Sequence, residues 1–116
     1  MTMQQQTVGK IYIAGPMSGL PEFNYPAFNA EAERLRSLGH EVLNPAENPV
    51  PECGTWAGYM RLALAQLVQC HTIRLLPGWE KSSGARLEEH VAMRLGLRII
   101  APHQDVHATR VGVPLP

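Results

Sequence analysis

Cysteine, excess charge of either sign and long apolar runs are all scarce in this chain, and each shortage removes a class of protein. The 116 residues hold two cysteines, Cys53 and Cys70, too few for a disulfide framework or a four-ligand zinc site, so both read as reduced, structural thiols. Ten Lys and Arg against ten Asp and Glu leave zero formal charge. That balance lacks the basic footprint on which phosphate-backbone binding depends and disfavours a polynucleotide partner. No window approaches the ~18 uninterrupted apolar residues of a membrane span, and the opening MTMQQQTVGK lacks the apolar stretch of a secretory signal. A cytoplasmic protein without a membrane partner is expected. His103 and His107 stand four apart in a proline-flanked tail, and no other histidine falls at a metal-ligand spacing. No Walker Gly-Lys-Ser/Thr ending and no third glycine of a dinucleotide fingerprint occur near the first glycine loop. Neither a metal nor an organic cofactor is expected.

What is present is a globular composition, 45% apolar, at a length that suits one compact core. KIYIAG is a short β-branched and aromatic run stopped by Gly15 and Pro16, which predicts a buried first strand. Phe28, Ala32, Leu35 and Leu38 recur at helical spacing over about 27–38, with Glu31, Glu33, Arg34 and Arg36 on other faces and Gly39 placed as the cap. HEVLNP predicts a second strand. A second helix is expected over about 55–70, with Thr55 as its N-cap and Trp56, Met60, Ala63, Leu67 and Cys70 as its buried stripe. TIRLL, ARLEEHVAMRLG and LRIIAP then predict strand, helix and strand. The alternation demands an α/β fold, a small flavodoxin-like three-layer sandwich with a parallel sheet of four or five strands. Residues 1–9 read as a polar leader, 10–102 as the domain and 103–116 as a tail suited to an oligomer arm.

In such sheets ligands bind outside the carboxyl ends of the strands, so the loops after Ala14, Asn44 and Leu76 are where chemistry belongs. Gly15, Ser18 and Gly19 can offer backbone N–H groups and a hydroxyl to an anion, or can simply form a turn. Ser82, Ser83 and Gly84 open the third helix, whose N-terminus suits a phosphate, although Ser82 reads equally as an N-cap. Leu87, Val91 and Leu95 predict the buried stripe of that helix. Glu88 lies at its edge, where it can be partly desolvated, while Glu89 points to solvent. Trp79, in a rim loop, is the best candidate for stacking on a planar base, with Trp56 and Tyr59 more readily read as core.

KIYIAGPMSG, PGWEKSSGA and LEEHVAMRLG together resemble the nucleoside 2-deoxyribosyltransferase-like superfamily, especially its small DUF4406 branch. The most specific part is W-x-x-S-x-G-A-x-x-E, filled by Trp79, Ser82, Gly84, Ala85 and Glu88. The resemblance implies cleavage or transfer of an N-glycosidic bond in a nucleoside or nucleoside 5′-monophosphate, with Glu88 as nucleophile and Tyr12 positioning it. Ser82 and Gly84 would lie by the 5′ end of the substrate. It also implies a homo-oligomer, dimer or tetramer. Members commonly carry a Cys-Asp pair before the third strand where this chain has Cys70-His71. His71 is the candidate replacement acid, because histidine is the residue type that changes charge near neutrality, beside its plainer reading as a partly exposed residue at a strand start. A non-catalytic nucleotide-binding module of the same fold is the competing reading.

Overall fold

A computed structural model describes residues 9–108. The polar leader lies outside the described residues except for Gly9, as does the end of the tail from 109 onward. Strands β1 (Ile11–Ala14), β2 (Val42–Leu43), β3 (Thr72–Leu75) and β4 (Arg98–Ile100) alternate with helices α1 (Tyr25–Ser37), α2 (Trp56–Leu67) and α3 (Ser83–Arg94). The sheet is wholly parallel in the order β2-β1-β3-β4, with Ile11 beside Val42 and Thr72, and Thr72 beside Arg98. This is the expected α/β class, a flavodoxin-like arrangement of four strands.

Period-two alternation of β1 divides the core. Ile11 and Ile13 face α1, packing with Phe28, Ala32 and Leu35, whereas Tyr12 and Ala14 face Ala63 and Leu67 of α2 and Ala92 of α3. Fully buried side chains of this size are each worth about 1.5–3 kcal/mol by apolar area removed from water. The helix starts follow the caps in the sequence: Thr55 Oγ1 accepts the Gly58 N–H at 3.1 Å, and Ser82 Oγ accepts the Ala85 N–H at 3.1 Å. Each side chain satisfies a donor that would otherwise lack an intrahelical partner. Gly39 and Gly96, at φ +97° and +79°, terminate α1 and α3 in the left-handed conformation that side chains resist.

Three expectations about packing change. The buried stripe of α3 is Ala85, Glu88 and Ala92, while Leu95 is 57% exposed. The small alanines let the helix lie close to the sheet; of the expected stripe, Leu87 is half-buried, Val91 packs against the core cluster and Leu95 turns outward. Trp56 is 52% exposed at the first turn of α2, and Met60, Ala63 and Leu67 carry the packing. Of the two unlinked cysteines, Cys70 is buried and structural, but Cys53 is exposed.

The first residues of the expected tail belong to the core. Val106 is buried with Ile11, Ile13 and Phe28 on the α1 side. Arg74, on β3 and 8% exposed, bonds the Ala101 carbonyl at 2.8 Å, the Gln104 carbonyl at 2.5 Å and the Glu31 carboxylate at 2.9 Å. A buried cation is thereby neutralised by α1 and used to hold the segment after β4 across the sheet.

Candidate functional site

The strand order reverses at β1, because β2 lies on one side of it and β3 on the other. Loops leaving the carboxyl ends of β1 and β3 therefore diverge and open a crevice. A cavity of about 450 Å³ lies there, lined by Tyr12, the loop Gly15–Ser18, Pro45 and Asn48 after β2, the start of α2, and Lys81–Ala85 with Glu88. Gly15 is required at its floor, since a Cβ on it would stand 2.8 Å from the Leu76 Cβ. Gly84 is placed so that its missing side chain leaves room beside Met60 and Trp56.

Glu88 is the one carboxyl on the cavity wall. It is 6% exposed, lines the cavity, and accepts a hydrogen bond from the Tyr12 hydroxyl at 2.5 Å. Burial raises its carboxyl to about 7, against a smaller lowering by the Tyr12 hydrogen bond. Tyr12 is wholly buried, and burial, followed by the neighbouring Glu88 charge, holds its hydroxyl well above the ordinary tyrosine range. The phenol thus stays a donor at any physiological pH. Burial withdraws water from the carboxylate while one aimed donor partly replaces it, an environment that makes a carboxylate reactive and ready to titrate near neutrality.

The sequence-derived candidates separate into two groups. Glu88, Tyr12, Gly15, Ser18, Ser82 and Gly84 meet around the one cavity. His71, Trp79 and Gly19 do not line it. His71 stands at the amino end of β3, opposite the rim, where its Nδ1 accepts the Lys10 backbone N–H at 3.1 Å, so it is removed from any part in proton transfer at Glu88. Trp79, half-buried, packs against the core cluster of Tyr12 and Leu75 and is not among the residues that line the cavity. Ser82 is both an N-cap and a cavity residue, and these two readings coexist because its oxygen accepts from Ala85 while its hydroxyl hydrogen remains to be donated.

Further aromatic residues line the cavity, two of them weighed from the sequence as stacking candidates beside their reading as core and two not singled out there. Trp56 and Tyr59 form the α2 wall, with exposures of 52% and 41%. Phe23 and Tyr25 stand across from it, their rings 5.8 Å apart. Phe23 is presented by three successive side-chain-bearing residues with positive φ, Glu22, Phe23 and Asn24 at 53°, 53° and 61°, the first two costing about 1–2 kcal/mol each. The Asn24 amide helps hold that turn by donating to the Pro16 carbonyl at 3.0 Å. Lys81 at the rim makes no ion pair with any described residue. Beside Ser82, Ser83 and the amino end of α3, it completes an electropositive corner.

A family model described as a domain of unknown function, DUF4406, matches residues 9–101. The chain belongs to this family. A comparison with curated proteins finds no match. The DUF4406 segment carries all the residues that build the cavity, from Tyr12 to Glu88.

Among the described residues no helix is long and apolar enough to cross a membrane. No three His, Cys, Asp or Glu side chains among them converge as metal ligands. The ten acidic residues of the chain all fall between Glu22 and Asp105, and Glu88 is the one that lines the cavity.

Proposed function

We propose that this DUF4406 protein cleaves, or transfers the sugar of, an N-glycosidic bond in a nucleoside 5′-monophosphate or nucleoside, as the nucleoside 2-deoxyribosyltransferase-like superfamily does. The observation that carries the reading is Glu88, a carboxyl that is buried yet forms part of a cavity wall and is held by an obligate donor. Such a group suits attack on an electron-poor sugar carbon, because its charge is poorly solvated before reaction and is relieved as a covalent ester forms.

In this mechanism an Oε of ionised Glu88 bonds to C1′ as the C1′–N bond breaks and its electron pair leaves with the base. Tyr12 donates to the other carboxylate oxygen and fixes the attacking one. The departing nitrogen takes a proton from water at the open mouth, since no second carboxyl of the chain lines the cavity. Water, or the nitrogen of a second base, then attacks C1′ and restores Glu88. Trp56, Tyr59, Phe23 and Tyr25 supply flat apolar faces for the base. Lys81, Ser82, Ser83 and the α3 amino end suit a 5′-phosphate. No cofactor enters this scheme.

The test is chromatographic detection of free base after incubation with a panel of ribo- and 2′-deoxynucleosides and their 5′-monophosphates. Release by wild type and none by Glu88→Gln is expected. No release from any member, or equal release by the variant, would refute the reading. The lone carboxyl in the cavity also favours a second reading, a nucleotide-binding module without turnover. That reading expects micromolar binding in calorimetry, about −8 kcal/mol, with no steady heat of reaction.

A further inference from the structure

The connection from β1 to α1 is strained where it gains least from packing. Glu22 and Phe23 both hold φ at 53°, in the left-handed region that side chains resist. Such a conformation persists in a folded chain when its surroundings compensate for it. Here no residue of Pro21–Asn24 is buried, and Phe23 is 59% exposed although it lines the cavity. The hydrogen bonds of the turn close within the connection and the first residue of α1. Leu20 N–H donates to the Met17 carbonyl at 3.2 Å, Phe23 N–H to the Leu20 carbonyl at 3.0 Å, Tyr25 N–H to the Glu22 carbonyl, and the Asn24 amide to the Pro16 carbonyl at 3.0 Å. Among the described residues, none of them reaches the Trp56 and Tyr59 wall across the cavity. Gly19, at φ +80°, begins the turn in open space, since a Cβ there would meet nothing within 4 Å. A glycine pivot, two strained residues and an aromatic ring left in water at a cavity wall are the parts of a lid held open.

We infer that the turn 20–24 is a lid that closes over a bound nucleobase, swinging Phe23 about Gly19 onto the ring while Glu22 and Phe23 leave the left-handed region. The identity of that ring rests on the nucleotide reading above. A ligand shifts such an equilibrium only through what differs between the two forms, and two differences act together. The strain at Glu22 and Phe23 belongs to the open form alone. The exposed face of Phe23 is covered in the closed form alone. The flanks stay in place, because Ala14 is buried in β1 and Phe28 is buried in the core beside Ile11 and Ile13. Asn24, of a type that adopts the left-handed conformation readily, anchors the far end through Pro16. Closure shuts the side of the cavity opposite Trp56 and Tyr59, withdraws water further from Glu88, and makes reopening a condition of product release.

Calorimetric titration of the full chain carrying Glu88→Gln, which holds a nucleotide without turning it over, tests the lid with the 5′-monophosphates of the four common 2′-deoxynucleosides. Glu22→Ala and Glu22→Gly are compared in that background, because both remove the same carboxylate and only glycine relieves the left-handed cost. Glu22→Gly is expected to unfold at higher urea than Glu22→Ala and to bind about five- to tenfold more weakly, since it stabilises the open form alone; the strain of one residue corresponds to that factor. Phe23→Ala is expected to keep the urea midpoint, as its ring is not buried without ligand, and to lose about tenfold or more in affinity, as for a lost base-stacking ring. Amide hydrogen exchange over residues 20–24 is expected to slow on saturation. Equal binding by the two Glu22 variants, full affinity in Phe23→Ala, or exchange that ignores ligand would each overturn the lid and leave the nucleotide reading standing. Absence of binding by all four monophosphates would overturn both.

Discussion

Replacing Glu88 by Gln should stabilise the protein, and should do so only on the alkaline side of its titration. The side chains are nearly isosteric, and the amide oxygen can still accept from Tyr12 at the position now occupied by Oε2. What changes is the charge. In the native state the carboxyl titrates at about 7 instead of the ordinary 4.5, because burial disfavours its ionised form. Between those two values the folded protein holds a proton that the unfolded chain has released, so stability falls as pH rises. The stability is fully present below 4.5, declines as pH climbs through 7, and stays low above it. The displacement is worth about 3 kcal/mol, a large share of the 5–15 kcal/mol that holds a typical domain together.

Urea unfolding of wild type and Glu88→Gln from pH 4.5 to 8.5 measures this directly. Every other ionisable group is common to both proteins and cancels in the difference. The two should agree within about 1 kcal/mol at pH 4.5 and diverge smoothly, until at pH 8.5 the variant is more stable by about 3 kcal/mol, roughly 10 °C in Tm. Parallel curves, or a wild type that is the more stable at pH 8.5, would refute the claim that Glu88 is an ionisable group held out of water. A gain in stability joined to loss of base release is the signature of a group kept for function against the interest of folding.

Tyr12→Phe removes the one donor that lowers the Glu88 carboxyl, so the acid limb of the pH-activity profile should move alkaline and activity at pH 7 should fall ten- to a hundredfold, as for a lost hydrogen bond to a charged group of about 1.5–3 kcal/mol; an unmoved limb refutes the positioning role. Gly15→Ala drives a Cβ to within 2.8 Å of the Leu76 Cβ and should cost about 1–3 kcal/mol in urea unfolding through displacement of the cavity floor, a result that a wild-type midpoint would contradict. Arg74→Leu strips partners from Glu31 and from the carbonyls of Ala101 and Gln104; a loss of about 3 kcal/mol is expected, together with faster thermolysin cleavage near Val106, and an unchanged cleavage rate would show that Arg74 does not hold the segment.

The fold was legible because each element carries both its period and its punctuation. β1 is four residues long, yet the β-branched pair Ile11 and Ile13 before Gly15-Pro16 identifies it, and the rule that ligands gather at strand carboxyl ends then places the cavity. That same rule already separates His71 from the site. It precedes β3, and the four residues of that strand, at about 3.3 Å each, lie between it and the rim. The chemistry of an imidazole suggested a role that its position in the topology denies.

The aromatic assignments failed for a different reason. Helical periodicity ranks Trp56 with Met60 and Ala63, but a stripe has no knowledge of where the partner surface ends, and Trp56 lines the cavity, half exposed, where Met60 and Ala63 are buried. Trp79, in an irregular loop, carried no period to mark it as packed. Nothing in the local sequence marks the Glu22–Asn24 turn either, since of its three left-handed residues only Asn24 is of a type that adopts this conformation readily.

The phase of α3 is the most instructive case, because it decides Glu88. Ranking by hydrophobicity puts Leu87, Val91 and Leu95 inward and leaves Glu88 at the margin. Ranking by the space available selects Ala85 and Ala92, which bracket Glu88 on the same face and are small enough for the helix to approach the sheet closely. A stripe of two alanines yields little transfer energy, so burying the carboxyl between them is not what stabilises the domain. Close approach brings the glutamate within hydrogen-bonding distance of Tyr12, and a larger residue at either alanine would separate them. Volume, not hydrophobicity, therefore sets the one contact on which the proposed chemistry depends.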